Sequence, residues 1–282
     1  MGTQRFSRAL FAHLHNHSEY SLLDGLSSVE AMAARAAELG QSALALTDHG
    51  VMYGAIDFYS ACKRAGIKPI IGMEGYVAPE SRLTRNPSDR SPYHMTVLAK
   101  NEVGYGNLLK LASKAQLEGF YYHPRMDREL LEQHSDGLVI LSGCLSGEVG
   151  SHIVKGQIDK AREAVNWYRG VFGDDYYLEV MWHEKIPEQL TMNRGVFELA
   201  RDTGTPLVAT NDNHYTNPSD HELHDVLLCI QTNSLVTDTK RMKLEDPTYY
   251  LRSEAEMAAL FPEHPEAIAN SGLIAEACDL EI

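Results

Sequence analysis

Short runs of aliphatic and β-branched residues recur at 11–17, 43–47, 69–77, 95–99, 138–141, 176–181 and 206–210. Runs of this length, bounded by polar stretches, predict strands. Between most of them the apolar positions change to helical spacing, at 28–39, 53–65, 103–117, 158–171 and 188–202. Strands that alternate with helices imply a parallel sheet, because a crossover helix is what returns the chain to begin the next parallel strand. Gly40, Gly66 and Gly204 stand where three of these helices give way to a strand, the position at which a left-handed residue ends a helix. The repetition predicts an α/β fold, a small or distorted (β/α) barrel of seven strands rather than an open doubly wound sheet.

After residue 234 the alternation stops. The remainder holds Lys240, Arg241 and Lys243 and then helical patterns at 253–260 and 265–278. The expected organisation is therefore a barrel over 1–235 and a short C-terminal helical extension over 236–282. That extension stops at 278–282 without an evident cap or polar tail and reads as a fragment of something longer. Residues 79–92 carry three prolines and three arginines without periodicity, which predicts a long surface loop.

Composition narrows the class. At 282 residues with 44% hydrophobic and 23% charged residues the chain is an ordinary globular sequence, and no apolar run approaches the roughly 20 residues that span a bilayer. Residues 1–11 do not read as a signal peptide. Cys62, Cys144, Cys229 and Cys278 are far apart and form no Cys-x-x-Cys pair, so they read as reduced thiols of a cytoplasmic protein. The formal charge of −14 argues against a broad, nonspecific nucleic-acid surface. Bound divalent cations would alter that locally, since they would be the largest positive charges in their site. There is no phosphate-binding Gly-x-x-x-x-Gly-Lys-Ser/Thr loop, no Gly-x-Gly-x-x-Gly turn and no Gly-x-Ser-x-Gly elbow, which leaves metal-assisted hydrolysis.

The residues that carry such chemistry stand at strand ends. In His13-Leu14-His15-Asn16-His17, residues two apart on a strand share a side, so two imidazoles can converge on one ion. His49 follows the run 43–46, where barrels place catalytic groups, and Asp212 and His214 repeat the spacing of two after 206–210. Glu74 lies within an apolar run, where an ionised carboxylate needs a metal or a salt-bridge partner. Cys144 follows 138–141, and a thiolate there is either a ligand or a packed side chain. His94 precedes its strand instead of following it, which the barrel pattern leaves unexplained. His123, His134, His152, His183, His221, His224 and His264 fall in helical or loop contexts and are not assigned, and Arg82, Arg85, Arg90 and Arg125 are available to an anionic substrate.

The stretches 13–25, 46–50, 119–121, 141–145 and 209–215 together resemble the PHP (polymerase and histidinol phosphatase) domains, specifically the N-terminal PHP domain of bacterial DNA polymerase III alpha subunits. The resemblance runs over nearly the whole chain. It implies a distorted seven-stranded barrel with up to three divalent ions, zinc, manganese or iron, and nine ligands: His15, His17, Asp24, His49, Glu74, His94, Cys144, Asp212 and His214. It groups His15, His17, Glu74 and Asp212 on one ion, Glu74, His94 and Cys144 on a second, and Asp24, His49 and His214 on a third. Glu74, Asp212, His15 and His17 would be the catalytic set, acting through the ions they hold. A complete ligand set goes with 3′–5′ exonuclease activity on a DNA primer–template, as the proofreading part of a polymerase whose active site lies outside this chain. The implied partners are the rest of that alpha subunit and replisome subunits such as the sliding clamp. Two rival readings use the same ligands: a small-molecule phosphatase of the histidinol-phosphate type, and a non-catalytic scaffold stabilised by metal.

Overall fold

The computed structural model describes residues 11–282, so the reading of 1–11 as leaderless falls almost wholly outside the described residues. The strands are β1 (Ala43–Leu46), β2 (Lys68–Val77), β3 (Tyr93–Ala99), β4 (Phe120–Tyr121), β5 (His123–Met126), β6 (Leu138–Leu141), β7 (Tyr176–Val180) and β8 (Leu207–Ala209). The helices are α1 (Val29–Glu38), α2 (Ala55–Ala65), α3 (Glu102–Leu117), α4 (Arg128–Gln133), α5 (Glu148–Val154), α6 (Ile158–Phe172), α7 (Pro187–Thr203), α8 (His221–Thr232), α9 (Glu254–Leu260) and α10 (Pro265–Ala277). Local chemistry sets several boundaries. Ser28 and Asn101 cap α1 and α3 by accepting from Ala31 N and Gly104 N, and Gly66 and Gly204 end α2 and α7 at φ 75° and 67°.

β1 and β2 pair in parallel, β2 and β3 antiparallel, β3 and β6 antiparallel, and β6, β7 and β8 in parallel. The segment 11–17 closes the ring. His13 bridges Leu44 on one side and Asn16 bridges Asn213 on the other, both in parallel, with His17 N donating to Asn213 O at 2.8 Å. Segment 11–17, β1, β2, β3, β6, β7 and β8 thus form a distorted seven-stranded barrel, with the β4–β5 hairpin added beside β2. The expectation of a wholly parallel sheet is corrected at β3. That strand runs against its neighbours because residues 78–92 connect it to β2 without a crossover helix.

Alternate residues of each strand serve two cores, as the period of two requires. Leu44, Leu46, Ile71, Met73, Val97, Leu138, Ile140, Leu178 and Ala209 pack outward on helix residues such as Met32, Phe58, Leu108 and Val165. Ala43, Ala45, Ile70, Leu98, Val139, Leu141 and Val208 form an inner cluster with Ala12 and Leu14. Ile274, Ala275 and Cys278, from α10 and its C-terminal end, join this inner cluster. Ala12 N donates to Ser271 Oγ, Lys68 Nζ to Ala275 O, Asn270 Nδ2 to Leu207 O and Asp279 N to Lys100 O. These partners lie at the starts of parallel strands and just past the end of the antiparallel one, so α10 forms the floor of the barrel. The opposite end is left open as a mouth.

Candidate metal centre

All nine side chains that the resemblance implies as ligands meet at that mouth. His49, Cys144 and Asp212 each lie three residues beyond the end of β1, β6 and β8, and Glu74 lies within the long β2. His94 is the second residue of β3. Because β3 is antiparallel, its beginning opens on the mouth with the ends of the parallel strands, and this explains a position that the barrel pattern alone did not. Asp24 comes from the turn after 11–17, where Asp24 N donates to Ser21 O. Asp212 holds a left-handed backbone at φ 50°.

Glu74 is the hub. Its Oε1 lies 3.3 Å from His15 Nε2, 3.0 Å from His94 Nδ1 and 3.9 Å from Cys144 Sγ, and its Oε2 lies 2.5 Å from His49 Nδ1 and 3.7 Å from His17 Nε2. Asp212 Oδ1 faces His17 Nε2 at 3.0 Å and His15 Nε2 at 3.3 Å. Asp24 Oδ2 faces His49 Nε2 at 2.6 Å and His214 Nε2 at 3.6 Å. Three overlapping trios bring ligand atoms within 4.8 Å of one another: His15, His17 and Asp212; His49, Glu74 and His94; and His17, His49 and His214. The first holds three of the four residues that the resemblance groups on one ion, without Glu74. The second has His49 where the resemblance implies Cys144, and the third has His17 where it implies Asp24.

The electrostatics call for a cation. His15 is fully buried with Nδ1 2.7 Å from Glu179 Oε1, and its Nε2 faces the carboxylates of Glu74 and Asp212, each at 3.3 Å. Burial opposes a charge on this ring, but Asp212, Glu179 and Glu74 outweigh it and hold its pKa well above the ordinary value. Burial likewise opposes ionisation of Glu74, and His94, His49 and His15 reverse that, pulling its pKa well below the usual range. His17 goes the other way, pushed down to about 3 by burial and by His49 and His214, whose rings lie 4.0 and 4.5 Å from its own. Burial and the carboxylates of Glu74 and Asp212 raise the Cys144 thiol well above its ordinary value.

His15 Nε2, His49 Nδ1 and Glu74 Oε2 are buried without a hydrogen-bond partner, although His49 and Glu74 nearly touch. A donor set of imidazoles, carboxylates and one thiol, with unpaired atoms facing inward, fits divalent zinc, manganese or iron.

Side chains behind the candidate ligands hold them in place, and the sequence reading missed them. Glu179 is fully buried in β7 and accepts from His15 Nδ1, Thr210 Oγ1 at 2.6 Å and Gly143 N at 2.9 Å. The signal was present, since Glu179 interrupts an apolar run as Glu74 does. Asp48 accepts from Ser18 N and from Ser21 Oγ, both at 2.7 Å, and Ser21 Oγ lies 3.2 Å from His17 Nδ1. A carboxylate behind a ligating histidine fixes its tautomer and raises its basicity. Glu179→Gln should weaken metal binding by about 10- to 100-fold with the fold retained, measured by competition against a chromophoric chelator.

Other candidates are spoken for. His13 donates from Nε2 to Arg252 O and accepts at Nδ1 from Asn213, and burial pushes its pKa down to about 4, so the first histidine of the run is a packing residue. Arg82 is tied to Asp127, Glu118 and Glu129, and buried Arg125 donates to the carbonyls of Gly119, Arg82 and Thr84, so neither is available to a substrate. Arg85 lies on carbonyls of Leu83, Thr84 and Glu118. The centre opens into a cavity of about 810 Å³. Among the described residues that line it none is lysine or arginine, while His123 and His183 are present.

A family model described as "PHP domain" matches residues 13–183. The DNA polymerase III subunit alpha of Treponema pallidum is 48% identical over 279 residues, an overlap of 98% of this chain and 24% of that protein. The subunit of the same name from Borreliella burgdorferi is 44% identical over 96% of this chain and 24% of its own length, and that from Thermus aquaticus 41% over 98% and 23%. The chain thus spans about a quarter of the length of the curated relatives it matches. Among solved structures, a two-domain protein from Bacteroides vulgatus containing a predicted PHP-like metal-dependent phosphoesterase aligns with a TM-score of 0.44 and 15% identity, covering 80% of this chain and 61% of that one. By the extent of the family match, this chain belongs to the PHP domain family.

Proposed function

We propose that this chain is a metal-dependent phosphodiesterase, the 3′–5′ exonuclease domain of a bacterial DNA polymerase III alpha subunit, and that it removes the 3′-terminal nucleotide of a primer strand. Its nine ligands would be His15, His17, Asp24, His49, Glu74, His94, Cys144, Asp212 and His214, holding up to three ions. The barrel over 1–235 would carry the site, and 236–282 would lead towards the polymerase core. Primer–template DNA, the remainder of the subunit and, in the replisome, the sliding clamp would be its partners in the cytoplasm.

When bound, divalent ions lower the pKa of water towards ~7 and stabilise charge on the attacking and leaving oxygens of an in-line displacement. The chain supplies the positions. Glu74 would be shared between ions, because Oε1 faces His15 and His94 while Oε2 faces His49. His15, steadied by Glu179, and His17, steadied by Ser21, bring two imidazoles to Asp212.

The observation that carries the diester reading is the cavity wall. A phosphomonoester is a dianion that gains more than a diester does from arginine or lysine around its terminal oxygens, and no lysine or arginine lines this cavity among the described residues. A phosphodiester carries one negative charge and asks less. The test is hydrolysis of a 3′-mismatched primer–template with manganese or zinc, beside a His15→Ala/Glu74→Ala variant that still folds. Mononucleotide release by wild type alone supports the proposal. No release with the ions bound refutes it in favour of a scaffold, and preferential cleavage of small phosphomonoesters refutes it in favour of a phosphatase.

A further inference from the structure

The rim of the same cavity carries an aromatic side chain that the metal ligands do not use. β4 and β5 pair with Tyr121 opposite His123, which leaves Tyr122 alone at the turn with φ 61°. A bulky residue pays a steric penalty in the left-handed region, where glycine would hold the same turn freely. Tyr122 nevertheless stands there 60% exposed, lining the cavity that contains Glu74, His94 and Cys144. The guanidinium of Arg90 lies 4.9 Å over that ring, and the Tyr121 ring meets it edge-on at 4.9 Å and 82°. Arg90 comes from the arginine-bearing segment 79–92 and is exposed. A strained, exposed aromatic backed by a cation beside a phosphodiester site has the chemistry of a base-stacking platform.

We propose that Tyr122, backed by Arg90, stacks an unpaired nucleobase next to the phosphodiester held at the metal centre, so that this site takes single-stranded or frayed 3′ ends. This rests on the phosphodiesterase reading above. Every base offers a π face, so stacking recognises nucleic acid without reading its sequence, and a base inside a duplex has both faces covered. With no cation on the cavity wall, the ring and Arg90 supply hold on the nucleotide that the ions do not.

The test uses the zinc-loaded chain and a single-stranded oligonucleotide with 2-aminopurine at its 3′ end. Binding should quench the fluorescence. Tyr122→Gly, which suits the turn and should fold and take up zinc as wild type does, should lose the quenching and bind about tenfold more weakly. An oligonucleotide with an abasic 3′ terminus should bind wild type about tenfold more weakly than its intact counterpart, and should lose little further on Tyr122→Gly. Absence of quenching with wild type, or equal quenching and affinity in the variant, overturns the proposal. Quenching that depends on Tyr122 without any nucleotide release would leave the stacking subsite standing and refute the phosphodiesterase reading. Nucleotide release with quenching indifferent to Tyr122 would do the reverse.

Discussion

Glu74→Ala is expected to reduce phosphodiester hydrolysis to below about a thousandth of the wild-type rate, equivalent to roughly 4 kcal/mol of barrier. The size follows from the position of the carboxylate. Both of its oxygens face imidazoles, Oε1 towards His15 and His94 and Oε2 towards His49, so on the proposed reading one substitution would remove a ligand from more than one place. Glu74→Gln separates charge from shape. It fills the same volume but is a poor ligand, and should lose nearly as much activity as alanine. In the metal-free chain Glu74→Ala should also cost stability, about 3–5 kcal/mol, since removing one partner of a buried ion pair strands the others. Metal content, steady-state rates and thermal unfolding of the three proteins check these outcomes together.

Removal of metal by a chelator should lower the unfolding temperature of the wild-type chain substantially. A site filled at about a thousand times its Kd stabilises the folded state by about 4 kcal/mol, on the order of 10 °C for a domain of this size. The direction is set by the three inward-facing atoms that lack hydrogen-bond partners, His15 Nε2, His49 Nδ1 and Glu74 Oε2. The same network gives metal binding a pH dependence. Without a cation, neighbouring carboxylates outweigh burial and raise His15, His49 and His214, while burial raises the Cys144 thiol. Rings with raised pKa values retain protons that an ion must displace. Loading should therefore release protons near neutral pH, and apparent affinity should rise with pH. Calorimetry in buffers of different ionisation enthalpy measures that release directly.

Much of the barrel is legible because a strand's period of two and a helix's capping chemistry are local. His15 and His17, two apart on an extended segment, do converge on one carboxylate, and Gly66 and Gly204 end their helices where expected. What stays hidden is non-local. The direction of β3 depends on the connection from β2, so His94 looked misplaced until the strand was seen to run backwards. Asp24 sits in a turn with no pattern of its own, and only the family resemblance singled it out. Arg82 and Arg125 read as available to an anionic substrate, yet Asp127 and the carbonyl of Arg82 claim them. Glu179 could have been found by the argument applied to Glu74, for it too is a carboxylate in an apolar run. The role of α10 was unreadable locally, because its buried positions declare an apolar surface without saying that a barrel floor will cover it.

The most direct test of the metal centre is anomalous diffraction at the zinc edge from crystals of the zinc-loaded chain. The account predicts strong peaks among His15, His17, Glu74, Asp212 and their neighbours at the barrel mouth, reduced or lost in Glu74→Ala. A mouth without anomalous peaks at saturating zinc, or zinc held only elsewhere on the surface, would contradict it.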